Sequence, residues 1–271
     1  MTRRGRIALI ATGALVVGAA VAVPLLLTDD AGESRPTSLV IPEGRRATQV
    51  YEAVDKALDL PAGTARKSLA RADLKLPDDA EGNPEGYLFP ATYPLGGQPT
   101  PEKLLASMVD TAKKKFHGAP VAAGAQRNAL NVYQAVTVAS IVQAEAATKD
   151  DMGKVARVIF NRLERGMPLQ MDSTINYALG RSTLTTTEQD TRIDSPYNSY
   201  QRMGLPPTPI GNPGDDAMRA AIDPTPGDWL YFVTVKPGDT RFTADYAEHR
   251  RNVAESDRDP RNASSRAGGG R

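Results

Sequence analysis

Not one of the 271 residues is cysteine, and only two are histidine. Disulfide frameworks, thiolate nucleophiles and zinc or iron–sulfur centres are nearly excluded by that shortage, since each depends on soft ligands the chain hardly has. An excess of charge of either sign is missing too: 33 Lys and Arg stand against 32 Asp and Glu. Nucleic acid is therefore a poor partner, because counterion-driven binding needs a basic surface. What remains is ordinary globular composition, 40% hydrophobic and 6% aromatic, in a length that suits one or two domains with tails. No internal repeat is visible.

The N-terminus breaks that ordinariness. Residues 7–27, "IALIATGALVVGAAVAVPLLL", carry no charge. At about 1.5 Å per residue such a run crosses a bilayer core of roughly 30 Å. Arg3, Arg4 and Arg6 precede it, and Asp29, Asp30 and Glu33 follow it. The positive-inside rule then places residues 1–6 in the cytoplasm and the rest of the chain outside. A cleaved signal peptide is the rival reading. The apolar run exceeds the usual h-region and continues past any small-residue cleavage site, so an uncleaved transmembrane helix is favoured.

Residues 28–37 form a polar linker, and 38–80 a small βα unit. In it, "SLVIPEG" predicts a strand and turn. "ATQVYEAVDKALDL" predicts a helix with Val50, Val54 and Leu58 on one stripe, and a second short helix opens near Pro61. Residues 81–253 form the larger domain and 254–271 a polar, Gly-rich disordered tail. "EGNPEGYLFPATYPLGG" reads as a structured loop with a short strand, and Thr100, Pro101 and Glu102 open the next helix. A long helix is predicted from about 127 to 147. Thr148 and Asp151 cap the following one, which stops at Gly166. The Gly/Pro-rich segment "IDSPYNSYQRMGLPPTPIGNPG" predicts an ordered loop, and "DWLYFVTV" a strand.

One acid stands out. Glu145 extends the helical stripe of Val138, Ile141 and Val142 in "ASIVQAEA". Partial desolvation and the negative helix C-terminus both disfavour its charged form and raise its pKa. A carboxylic acid kept protonated near neutral pH is what glycosidic bond cleavage needs. The plainer alternatives are a solvated residue, or an ion pair with Arg162 or Arg165.

Several blocks together, "ASIVQAEA", "VIFNRLERGMPLQMDST", "SPYNSYQRMGLPPTPIGNPG" and "WLYFV", resemble the endolytic murein transglycosylases of the MltG (YceG-like) family over about residues 40–253. The resemblance implies an α+β fold: an N-terminal transmembrane helix, a LysM-like βα unit at 38–80 and a mixed α/β catalytic domain. It implies a cell-membrane enzyme that cuts the MurNAc–GlcNAc bond of nascent peptidoglycan strands without metal or cofactor, with Glu145 as catalytic acid. Gln143 stands where many relatives carry a second acid. Ser173, Ser199 and Thr208 replace a usual Pro, Thr and Gly, and Thr208 strains the loop if that position needs positive φ.

Candidate substrate-binding residues are Gln170, Asp172, Tyr197, Asn198 and Tyr200. Asp172 is equally readable as a turn or helix-capping residue, and the tyrosines as packing residues. Asn161 and Arg162 read better as helix-fixing groups, while Glu85 and Tyr87 are placed on the cleft wall. Expected partners are glycan strands, the cell membrane through residues 7–27, and peptidoglycan synthases, though no residue identifies a synthase. Two competitors stay open: a non-catalytic peptidoglycan-binding scaffold, and a hydrolytic muramidase using Asp172 or Asp194 as second carboxylate.

Overall fold

Strand β1 (Ser38–Val40) alternates exposed, buried, exposed, with Leu39 turned inward. Its partner is β2 (Thr92–Pro94), antiparallel, with Leu39 opposite Tyr93. The small unit therefore takes its second strand from beyond residue 80. The computed structural model describes residues 37–258 except 98 and 182–185, so the expected membrane helix at 7–27 lies outside the described residues. Among the described residues no helix is long and apolar enough to cross a membrane.

Between the two strands lie α1 (Ala47–Ala57) and α2 (Thr64–Ser68). Val50 and Val54 are fully buried, as their spacing predicts. Asp55, a buried acid on α1, accepts from the Gly63 and Ala65 N–H groups at 2.7 Å each. It supplies acceptors that the first turn of so short a helix lacks.

Helix α3 (Pro101–Phe116) begins at the predicted cap, Thr100, and buries Leu104, Leu105, Met108, Val109, Ala112 and Phe116. The helix expected from about 127 to 147 is α5 (Val132–Glu145), which starts later, and a separate helix that the sequence did not suggest, α4 (Ala119–Arg127), precedes it. The break has a local cause. Ala129 adopts φ +56°, and Asn131 restarts the helix with a reciprocal capping box to Gln134. Every residue of α5 from Ala135 to Val142 is buried, which corrects the one-stripe reading: α5 is a central helix. It packs against α4, α6 (Lys149–Glu164), α7 (Asp172–Ala178) and α8 (Asp215–Ile222).

Helix α6 opens on Thr148, whose Oγ1 accepts the Asp151 N–H at 3.3 Å and donates to Asp151 Oδ2 at 2.8 Å. Strands β3 (Tyr231–Lys236) and β4 (Asp239–Thr243) form a hairpin on which α9 (Tyr246–Ser256) packs. Helix α9 passes the expected start of the tail at 254. Ser256 Oγ donates to Thr234 O at 3.0 Å and Glu255 pairs with Arg241 at 2.6 Å, and these contacts hold the last turn. The described architecture is thus mixed α and β, with two small antiparallel sheets flanking a helical core.

Candidate active site

Burial along α5 ends in its last turn, where Gln143 and Glu145 become partly accessible. Glu145 Oε1 accepts the Ser173 N–H at 3.0 Å. That donor is available because Ser173 sits in the first turn of α7, where amides have no intrahelical acceptor. The carboxyl is packed about by protein, and desolvation pushes its pKa up. The Ser173 N–H works against that rise; the nearby Asp172 charge adds to it and Arg162 subtracts from it. The negative end of α5 and the positive end of α7 thus act on one carboxyl with opposite sign.

The ion-pair alternative for Glu145 is not what the structure holds. Arg162 is 6% exposed, and its guanidinium donates to Leu230 O at 2.7 Å, Leu169 O at 2.6 Å, Pro168 O at 3.2 Å and Gln170 Oε1 at 3.3 Å. It ties the hairpin and the 168–170 turn to α6. Asn161 does similar work on Gly227 O and Trp229 O. Among the described residues no Lys or Arg forms a salt bridge with Glu145.

Around the start of α7 the structure gathers three of the predicted binding residues. Tyr200 Oη donates to Asp172 Oδ1 at 2.5 Å. Gln170, exposed and at φ +52°, donates its N–H to Ser199 O at 2.9 Å. Ser199 Oγ accepts the Met171 N–H at 2.9 Å and shares a hydrogen bond with Thr174 Oγ1 at 2.8 Å. The other two support this group through the loop. Asn198 is fully enclosed: its Nδ2 donates to Thr191 O and Ile193 O, and its Oδ1 accepts the Tyr200 N–H. It shapes the loop from behind. Tyr197 lies against the Tyr177 ring at 4.9 Å, and its hydroxyl shares a hydrogen bond with Thr208 at 2.9 Å.

The loop is fastened to α5 at two further points, Ile210 N–H to Ser140 Oγ and Gly214 N–H to Gln143 Oε1, both at 3.0 Å. A neutral amide thus serves at 143, beside the acid two residues on. Thr208 does not adopt positive φ, so the substitution there brings no backbone strain. Asp194 is on the surface, paired with Arg202 at 2.8 Å. Glu85 and Tyr87 are buried rather than on a cleft wall. Sequence reasoning also missed the partners of Glu85. They are Ala47, Asn212 and Tyr177, and burial pushes the Glu85 carboxyl up to about 7. Among the described residues no cluster of three or more His, Asp and Glu side chains converges as a metal site would.

Comparison with known proteins gives a consistent result. The YceG-like family model matches residues 19–255. An endolytic murein transglycosylase of Bacillus subtilis (strain 168) is 38% identical over 175 residues, 62% of this chain and 46% of that protein. One from Streptococcus pneumoniae serotype 2 (strain D39) is 34% identical over 255 residues, 84% of this chain and again 46% of the relative. The chain therefore spans just under half the length of the curated relatives it matches. The crystal structure of a putative YceG-like protein from Listeria monocytogenes superposes with a TM-score of 0.70 at 31% identity, covering 80% of this chain and 75% of that one.

Proposed function

The chain belongs to the YceG-like family, and on that premise we propose that it is an endolytic peptidoglycan lytic transglycosylase. It cuts the β-1,4 bond from MurNAc to GlcNAc in nascent strands, leaves 1,6-anhydroMurNAc ends and so terminates glycan elongation. The observation that carries this reading is Glu145: an acid with a raised pKa, no ion-pair partner among the described residues, and partial access at the end of a buried helix.

An ordinary glycosidase needs two carboxyl groups. Here one suffices, because the nucleophile comes with the substrate. Glu145 gives its proton to the glycosidic oxygen as the bond to MurNAc C1 breaks. The resulting carboxylate then takes the proton of the MurNAc C6 hydroxyl, whose oxygen closes on C1. The acid is regenerated and no water enters. Ring closure within one sugar is favoured by proximity. The Ser173 N–H steadies the carboxylate between the two steps. Gln170, Asp172 and Tyr200 present the polar surface on which the sugars lie, Tyr197 borders it and Asn198 acts through the loop it holds. Residues 7–27 anchor the protein in the cell membrane with residues 1–6 in the cytoplasm. The β1–α1–α2–β2 order supports a LysM-like reading of the small unit, and peptidoglycan synthases are the partners such a terminator would work beside.

Mass spectrometry of glycan strands incubated with residues 36–271 tests this. Anhydro ends are expected, and Glu145→Gln should abolish them while leaving the fold intact. Reducing ends would instead point to a muramidase, a reading that the closeness of Asp172 to Glu145 keeps in view. Uncut but bound glycan would mean a scaffold.

A further inference from the structure

Glu85 lies outside the reaction just described, yet it is 3% exposed and more heavily bonded than any surface acid needs to be. Its Oε1 accepts the Ala47 N–H at 2.9 Å and the Asn212 Nδ2 at 3.3 Å; its Oε2 accepts the Tyr177 hydroxyl at 3.2 Å. Each partner belongs to a different part of the chain: the first residue of α1, the long loop, and α7. Tyr177 is the residue of interest, because it stands four positions after Ser173 on the same helix. Residues so spaced lie on one face, a single turn apart. One end of α7 therefore presents an N–H to Glu145, and the other is fastened by Glu85. Arg46 fastens that end again: its guanidinium lies 5.2 Å from the centre of the Tyr177 ring and donates to Asn176 O at 3.2 Å and Arg181 O at 2.9 Å.

We propose that Glu85 is a positioning residue for Glu145, acting through α7 as a short strut. Its bond to Tyr177 holds the helix against the start of α1 and so keeps the Ser173 N–H aimed at the catalytic carboxyl. The role is geometric. A seven-residue helix has little cohesion of its own, so its placement comes from what grips its ends. Loss of the grip withdraws a donor that favours ionised Glu145, and the acid's pKa rises further. The inference rests on the functional reading above for its kinetic consequence, but its structural content does not.

Tyr177→Phe is the clean perturbation, since it keeps the ring and removes only the hydroxyl. Glu85→Ala and Glu85→Gln complete the set. In Glu85→Gln the amide oxygen still accepts from Ala47 and Asn212, while the amide nitrogen donates to Tyr177. Two readouts apply: kcat and KM on glycan strands, and the Glu145 titration followed by carbon-13 NMR of the labelled carboxyl. Tyr177→Phe and Glu85→Ala should lower kcat by about tenfold with KM little changed, as expected when a reacting group is misplaced by a fraction of an ångström. Both should move the Glu145 titration to higher pH, and Glu85→Gln should restore wild-type behaviour. A merely stabilising residue would leave that titration unmoved. If both variants titrate at Glu145 as the wild type does, the inference is overturned. If the wild type leaves glycan uncut, the functional reading falls, and the NMR titration still decides the inference.

Discussion

Arg162→Met isolates what a buried guanidinium does beside a catalytic acid. Methionine keeps most of the apolar stem, so the cavity left behind is small, but every donor goes. Two short, enclosed bonds are lost, to Leu230 O at 2.7 Å and Leu169 O at 2.6 Å, with longer ones to Pro168 O and Gln170 Oε1. Each buried carbonyl left without a donor costs about 1–3 kcal/mol. Two such groups come to about 2–6 kcal/mol, and relief of the desolvation of the Arg charge offsets part of that, leaving about 3 kcal/mol. For a folded unit of this size the midpoint of thermal unfolding should fall by roughly 6–12 °C. Urea unfolding with an unchanged m-value gives the free energy directly. Activity should fall as well, because the 168–170 turn that leads into α7 loses its anchor to α6. A loss of stability below about 1 kcal/mol would refute the reasoning, since it would mean that those carbonyls find other donors.

Four other outcomes follow from the same geometry. Tyr200→Phe removes the donor at 2.5 Å from Asp172 and should lower kcat, with a loss of about 1.5 kcal/mol by urea unfolding, the worth of one bond to a charged group. Thr208→Gly should destabilise by about 1 kcal/mol rather than relieve strain, because Thr208 has no positive φ to relieve and its hydroxyl meets Tyr197. Gly86→Ala should be far worse, at about 3 kcal/mol by urea titration: φ is +86° there, and an added Cβ would stand 2.5 Å from Pro209 Cγ. The folded-state pKa of Glu85, about 7, lies above the usual 4.5, so the folded protein binds more protons than the unfolded chain across that interval. Stability should therefore fall as pH rises from about 4.5 to about 7, by at most about 3 kcal/mol, and unfolding of Glu85→Gln at pH 5 and pH 8 should show that decline reduced.

How much of this was readable from residues alone depends on how far each signal reaches along the chain. The cap at Thr100, the Thr148–Asp151 pair and the stop at Gly166 are local, and the structure has all three. The start of α5 differs from the expected 127 although its signal is also local: Asn131 followed three residues later by Gln134 is a capping box, and it lies inside the span of the predicted helix. The acid at 145 was visible because its own helix announces it. The α5 stripe is only partly right, since nothing in residues 132–145 reveals that four helices pack around it.

Glu85 marks the limit of such reading. Its neighbours in sequence, Pro84 and Gly86, suggest a loop acid on a cleft wall, and nothing nearby predicts burial. Its bonding partners lie 38, 92 and 127 positions away. A carboxylate whose meaning depends on groups that distant has no periodicity or cap to betray it. The desolvation that raises its pKa exists only once all three segments have come together. The same argument separates the two acids in kind. Glu145 keeps partial contact with solvent and has one backbone donor, so its proton can leave and return; Glu85 is closed on every oxygen by the fold itself. Chemistry belongs to the first arrangement, and placement to the second.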